Sequence, residues 1–346
     1  GRKLSKSLGN SPDPLDLIAQ FGADGMRVAM LLSSSAGNDV MFDEALCEQG
    51  RNFGNKIWNA YRLVNGWTID DTLAQSENNR LAIEWFRQAL AKTLRQVESD
   101  FASYRISEAF MNLYKLFWDD FSGWYLEMIK PAYQCPIDRP TLEATCGFFD
   151  DLLRLLHPFM PFVTEEIWQV LTGGESMIIV ESYPVYDAKY DYADAAQFEK
   201  VIDAIRAIRN RRTEMQVPPS KKARVCIETT EPELYRSTAV FFEKLASASA
   251  VEVGEKFEMP DAATAVTDSV RIFIPMDELI DKDKELARLK KEQEKVQKDL
   301  DFLSKKLSNQ GFLAKAPEKL VEAEKAKLAK AQEKMDKIMQ SMAALQ

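Results

Sequence analysis

Lys3-Leu4-Ser5-Lys6-Ser7 sets two ammonium groups three residues apart, with two hydroxyls beside them. Ammonium groups can meet developing negative charge, and hydroxyls can donate hydrogen bonds to phosphate oxygens. Two lysines at that spacing also repel one another, so the expected resting state is a loop that stays open until an anion arrives. A Lys/Ser pentapeptide alone is common in surface tails. The residues that follow make it specific: Leu8-Gly9-Asn10, Pro12, Pro14, Gly22-Ala23-Asp24 and Arg27.

Other site chemistries find little support. The single histidine, His157, lies in the apolar turn His157-Pro158-Phe159-Met160-Pro161 and reads as structural. Cys47, Cys135, Cys146 and Cys226 are widely separated, with no C-x-x-C pair. Neither a disulfide scaffold nor a zinc finger is expected, and the compartment reads as reducing and cytoplasmic. No Gly-rich phosphate loop is present. No run approaches the ~18 apolar residues of a membrane helix and no signal peptide opens the chain, so no membrane partner is expected.

Average charge is misleading here. The 346 residues carry a net charge of −9, yet residues 281–346 hold 16 Lys/Arg against 12 Asp/Glu. That segment is therefore +4 and the remainder −13. A second basic stretch runs from Ile205 to Arg224, where Arg206, Arg209, Arg211, Arg212, Lys221, Lys222 and Arg224 face one acid, Glu214. Phosphate backbones respond to such patches rather than to the mean.

The elements that must position these groups are mostly helical. Glycine, at 14 of 346 residues, is below the usual ~7%. Asp13-Pro14 and Asp24 read as starts of two short helices, and 39–42 as an extended piece before a cap at Asp43. From about Glu44 to Leu171 apolar residues recur at helical spacing. Ile106, Phe110, Leu113, Phe117, Phe121, Trp124 and Met128 mark one long helix of an antiparallel bundle. After an irregular connector, a helix from Phe198 to Glu214 leads into a small α/β module. Its strands are expected at Ala223–Glu228, Ala250–Val253, Ala263–Val266 and Val270–Ile274, with a helix over Pro232–Ala246. The last 66 residues carry two heptad runs: Leu286, Leu289, Gln293, Val296, Leu300, Leu303, Leu307, and then Val321 through Leu345. A Gly/Pro-containing break at 309–317 separates them, which describes an antiparallel coiled-coil hairpin with arms of roughly 40 Å. The expected fold class is mainly α: a helical bundle, then the α/β module, then the hairpin.

The loop and its extension resemble the second signature loop of class I aminoacyl-tRNA synthetases, usually written K-M-S-K-S, with Leu4 in place of Met. Further segments resemble the valyl-tRNA synthetase family: Gly9 to Pro14, Asn38 to Asp43, Arg51 to Ala60, Leu156 to Trp168, Ile208 to Pro219, Gly311 to Pro317, and Glu322 to Leu328. The resemblance implies that Lys6 contacts ATP and stabilises the transition state of amino-acid activation, that Lys3 assists, and that Ser5 and Ser7 bond the loop or the phosphates. It implies ATP with Mg2+ as the cofactor set, no metal site in this segment, and valine and tRNA(Val) as partners of a monomeric cytoplasmic enzyme. Residues 1–43 would close the catalytic core and contact the tRNA stem, and 44–197 would form the anticodon-binding bundle with its connector. Residues 198–280 would be the α/β module and 281–346 the tRNA-binding arm. Arg206, Arg209, Arg212 and, at the hairpin tip, Lys315 are candidate tRNA contacts. The family's H-I-G-H signature is missing, so the chain is expected to lack a complete active site. Because it opens on Gly1, it is expected to begin inside a larger polypeptide.

An isoleucyl- or leucyl-tRNA synthetase fragment is the nearest alternative, although the cysteine-rich zinc module common at the end of the isoleucyl enzymes is missing. Two non-enzymatic readings also stand: a tRNA- or ribosome-binding protein, and a coiled-coil adaptor. Neither needs an ATP-closing lysine pair.

Overall fold

The computed structural model describes residues 12–34, 42–190, 195–279, 282–308 and 318–345. The fold is mainly α with one small sheet, and its contacts divide it into two compact units. One comprises the described residues up to Arg206 together with Glu233–Ala246; the other comprises Ala207–Pro232 and the described residues from Ser247 onward.

The first unit opens on α1 (Pro14–Ser33), capped by Asp13, whose carboxylate accepts from the Leu15 amide at 2.8 Å. The sequence predicts two short helices here; the structure joins them across a kink at Gly22, where φ is +78°. Only glycine adopts that conformation without a Cβ penalty. Helix α1 crosses α2 (Glu44–Asn65) at two glycines: a Cβ on Gly50 would lie 2.8 Å from the Gly25 carbonyl oxygen. No side chain fits between the backbones there.

Helices α3 (Glu77–Ala102) and α4 (Ile106–Lys115) continue the bundle. The expected long helix from Ile106 is not uniform. Residues Leu116–Tyr125 form a π-helical segment before α5 (Leu126–Ile129). In this wider turn, residues spaced by four share a face, and Phe117, Phe121 and Tyr125 are all fully buried. They meet Phe86 of α3 and Phe148 and Phe149 of α6 (Arg139–Leu156), with Phe86 centred 5.1 Å from both Phe121 and Tyr125. The buried Tyr125 hydroxyl is satisfied by Thr145 Oγ1 at 2.8 Å, which keeps a polar atom from being stranded in the core. Helix α7 (Pro161–Thr172) and the first part of α8 (Ala195–Glu214) complete the bundle. The expected helix over Pro232–Ala246 is broken into α9 (Pro232–Ser237) and α10 (Ala239–Leu245) at Thr238, whose hydroxyl donates back to the Leu234 carbonyl. Phe241 of α10 packs edge-on against Phe198 of α8.

The second unit holds a four-stranded sheet in the order β2-β1-β4-β3. β1 (Ala223–Glu228) pairs parallel with β2 (Ala248–Gly254) and antiparallel with β4 (Arg271–Pro275); β3 (Ala262–Val266) closes the other edge. Strands are found at all four expected places, β2 beginning two residues earlier than its apolar pattern indicates. A short helix, α11 (Met276–Leu279), follows β4, and Leu279 is buried.

Helices α12 (Lys282–Ser308) and α13 (Glu318–Leu345) form the hairpin. Val296, Leu300 and Met335 are buried along their seam, with Leu328 and Ala331 packed against them, as the heptads require. The break at 309–317 lies outside the described residues. This narrow seam makes the arm sensitive to a single charge. Leu300→Asp or Met335→Asp is expected to melt the arm, while slow hydrogen exchange persists at the Phe86–Phe121 core of the first unit. Loss of protection at both places together would contradict an arm with its own core.

Candidate nucleic-acid interface

The loop residues Lys3, Ser5, Lys6 and Ser7, and Lys315 at the hairpin break, lie outside the described residues. What the structure does place is the segment that follows the loop. Asp24 stands two residues past the Gly22 kink. Its carboxylate does not start its own helix, as expected from sequence, but caps α7: it accepts from the Val163 amide at 2.7 Å and the Phe162 amide at 3.3 Å. Those first-turn amides have no partner within their helix, and Met160 at the cap position offers no side-chain acceptor. Burial pushes the Asp24 carboxyl above the usual carboxylate range, against the pull of these two amides.

Arg27, one turn on, donates to the Pro158 carbonyl at 2.9 Å and the Phe159 carbonyl at 3.1 Å. The two side chains thus hold both ends of the turn between α6 and α7. His157 belongs to the same arrangement. Its Nδ1 lies 2.8 Å from Thr164 Oγ1, and the threonine donates its own proton to the Met160 carbonyl, leaving Nδ1 as the donor. Burial lowers the imidazole pKa, which favours this neutral tautomer. The histidine fastens a turn.

A second feature was not legible in the sequence. α3, the π-helical segment and the start of α8 border a groove of about 1130 Å3, lined by Trp85, Lys92, Gln96, Asn112, Asp120 and Glu199 among others. The Trp85 indole donates to Glu199 Oε1 at 2.9 Å. Asp120 is pushed up to about 7, first by burial and then by Glu199 and Asp119, with Arg206 and Lys92 acting in the opposite direction. A raised carboxyl pKa is a cost to the folded state that is absent below the unfolded value near 4 and fully present above about 7. Asp120→Asn is therefore expected to leave stability at pH 4 almost unchanged and to raise it by about 2–4 kcal/mol at pH 8. Chemical denaturation at the two pH values checks this, and an equal effect at both would contradict it.

The arginines of α8 divide. Arg206 pairs with Asp203, and its guanidinium sits 5.8 Å from the Trp124 ring centre. It remains about half exposed, at 52%. Arg209 has at least one partner within the fold. Arg212 is a correction. Expected as a tRNA contact, it is 6% exposed, and its guanidinium donates to the Pro218 and Lys221 carbonyls. It braces the turn into β1, with its Nη2 group spent on backbone carbonyls. The basic neighbours are also engaged: Arg211 with Glu214, and Arg224 with Glu252 and Glu278. Among the described residues, no group of three or more His, Cys, Asp or Glu could hold a metal ion, and no helix is long and apolar enough to cross a membrane.

Known families match this chain in three successive places. Residues 1–43 match the tRNA synthetases class I (I, L, M and V). Residues 84–227 match the anticodon-binding domain of tRNA ligase, and 281–346 match the valyl tRNA synthetase tRNA binding arm. Similarity to valine–tRNA ligases runs along the whole chain, at 49% identity over 351 residues for that of Parabacteroides distasonis. The chain belongs to the valyl-tRNA synthetase family. The valine–tRNA ligases of Phocaeicola vulgatus and Clostridium acetobutylicum are 46% and 38% identical, each across 100% of this chain. The chain spans 39% of the length of the Parabacteroides relative and 40% of the Clostridium one. The class I match ends at the Asp43 cap of α2 and so takes in Asp24 and Arg27. The anticodon-domain match begins inside α3 and ends in β1.

Proposed function

We propose that this chain supplies the tRNA-handling part of a valine–tRNA ligase, which uses ATP to activate valine and transfers it to tRNA(Val). The observation that carries this reading is the order of the three family matches along a chain similar to valine–tRNA ligases from end to end. In this reading Lys6, assisted by Lys3, meets the negative charge that builds on the ATP phosphates as pyrophosphate departs. Ser5 and Ser7 bond the loop or those oxygens, and Mg2+ balances the triphosphate. The Asp24 and Arg27 contacts fix α1, the helix that follows the loop, against the bundle. The bundle takes the anticodon end. The basic arm takes phosphates elsewhere on the folded tRNA; Lys315, Arg206 and Arg209 are further phosphate contacts. The enzyme works as a cytoplasmic monomer, and its functional divisions fall at 1–43, 44–197, 198–280 and 281–346.

The separation of tRNA binding from activation gives the test. The chain alone is expected to bind tRNA(Val) with strong salt dependence, yet to support no valine-dependent ATP–pyrophosphate exchange. Exchange activity from the purified chain would contradict this division, as would failure to bind tRNA.

A further inference from the structure

Helix α2 leaves one side of its surface to solvent, and that side has an unusual composition. From Gln49 to Ile69 the sequence contains no Asp or Glu, in a chain that has 54 of them among 346 residues. Phe53, Ile57, Ala60, Tyr61 and Val64 face the core. Arg51, Asn52, Asn55, Asn59 and Arg62 are exposed, and 52, 55, 59 and 62 follow the 3-4-3 spacing of one helical stripe. Elsewhere on the first unit, several arginines are matched to acids one turn away: Arg80 to Glu77 and Glu84, Arg154 to Asp150 and Asp151, Arg206 to Asp203. On α2 this pattern stops after Arg51, which pairs with Glu48 at 3.4 Å. Within the described residues, no side-chain hydrogen bond or ion pair engages Asn52, Asn55, Asn59 or Arg62.

The flanks of the stripe are aromatic and cationic. On one side Lys56 Nζ lies 5.0 Å over the Trp118 ring, which is stacked on Tyr114 at 5.5 Å and 7°. On the other, Trp58 and the exposed Phe162 edge a concave groove of about 330 Å3 that also takes in Arg51 and Asn55. With no acid between Gln49 and Ile69, this face presents amide and guanidinium donors along about 16 Å of helix.

We propose that the Arg51–Arg62 stripe of α2 docks the ribose-phosphate backbone of a folded RNA stem. A row of uncharged amides with an arginine at each end suits a surface where phosphate oxygens alternate with 2′-hydroxyls, whereas an acidic protein would call for cations throughout. Backbone fits better than bases, because Tyr114 and Trp118 stack on each other and the stripe itself is a convex row of donors. The inference rests on the tRNA-binding reading above and adds to it a surface distinct from the basic arm.

The experiment titrates the 346-residue chain with two fluorescent tRNA(Val) transcripts, one natural and one with an altered anticodon, at two salt concentrations. Asn55→Asp with Asn59→Asp keeps side-chain size and exposure, and is expected to weaken binding to both transcripts about tenfold with an unchanged melting temperature. Asn55→Ala with Asn59→Ala, which favours the helix, is expected to weaken binding about threefold. Arg62→Ala is expected to lower the slope of log affinity against log salt by about 1. Equal affinity of both asparagine pairs and the wild type would overturn the proposal while leaving the tRNA reading intact. A loss confined to one anticodon would overturn it too, by making the stripe a base reader. Wild-type chain that bound neither transcript would remove the tRNA reading and this surface with it.

Discussion

Replacing Lys6 by Ala in an intact ligase carrying this chain is expected to lower the rate of valine activation about 10²–10³-fold, the usual cost of one preorganised charge donor. The loss should fall on kcat for ATP–pyrophosphate exchange, because the ammonium group is needed when charge develops on the leaving phosphates rather than when ATP first binds. Affinity for tRNA should be unchanged, since the loop is proposed to meet nucleotide and not tRNA. Lys3→Ala should show the same pattern with a smaller loss. An exchange rate near normal for Lys6→Ala would mean that the loop does not close on ATP.

Deleting residues 281–346 is expected to weaken tRNA binding by the chain about 10²-fold near 0.15 M salt, and to flatten its salt dependence. Each phosphate that the arm no longer neutralises takes about 0.9 off the slope of log affinity against log salt, because fewer counterions are released. The arm is Lys-rich and carries one aromatic in its shaft, the exposed Phe302, and one near the break, Phe312. That is too few for a platform reading single-stranded bases. Discrimination between transcripts differing only in the anticodon should therefore survive the deletion at lower affinity. Truncation that abolished discrimination while sparing affinity would make the arm a base reader.

The sequence was most informative where a repeat or a cap acts over short range. Val296, Leu300 and Met335 could be placed on one seam from spacing alone, because a heptad admits one buried stripe. Asp13 and Asp43 could be recognised as caps because each bonds an amide two residues away. The π-helical segment could not, since Phe117, Phe121 and Trp124 also satisfy an α-helical period. Long-range polar partnerships were equally hidden. Asp24 caps a helix 138 and 139 residues on, and Glu199 meets Trp85 across 114 residues. Arg212 looked like one member of a basic row, yet its partners are backbone carbonyls of the turn that follows, which no residue type reveals. For the candidate site, the residue types of the Lys3–Ser7 loop identified a chemistry, and family resemblance supplied the roles. The Asp120 groove and the bare stripe of α2 emerged only once the helices were packed.

The measurement that bears most directly on the central claim is a binding comparison of this chain with valine, isoleucine and leucine tRNA transcripts at two salt concentrations. A valine-specific tRNA-handling segment predicts tightest binding to tRNA(Val) at both concentrations. All three affinities should fall steeply with salt, and the preference should persist as the shared phosphate term weakens. Equal binding of the three transcripts at the higher salt, or preference for the isoleucine or leucine transcript, would contradict the account.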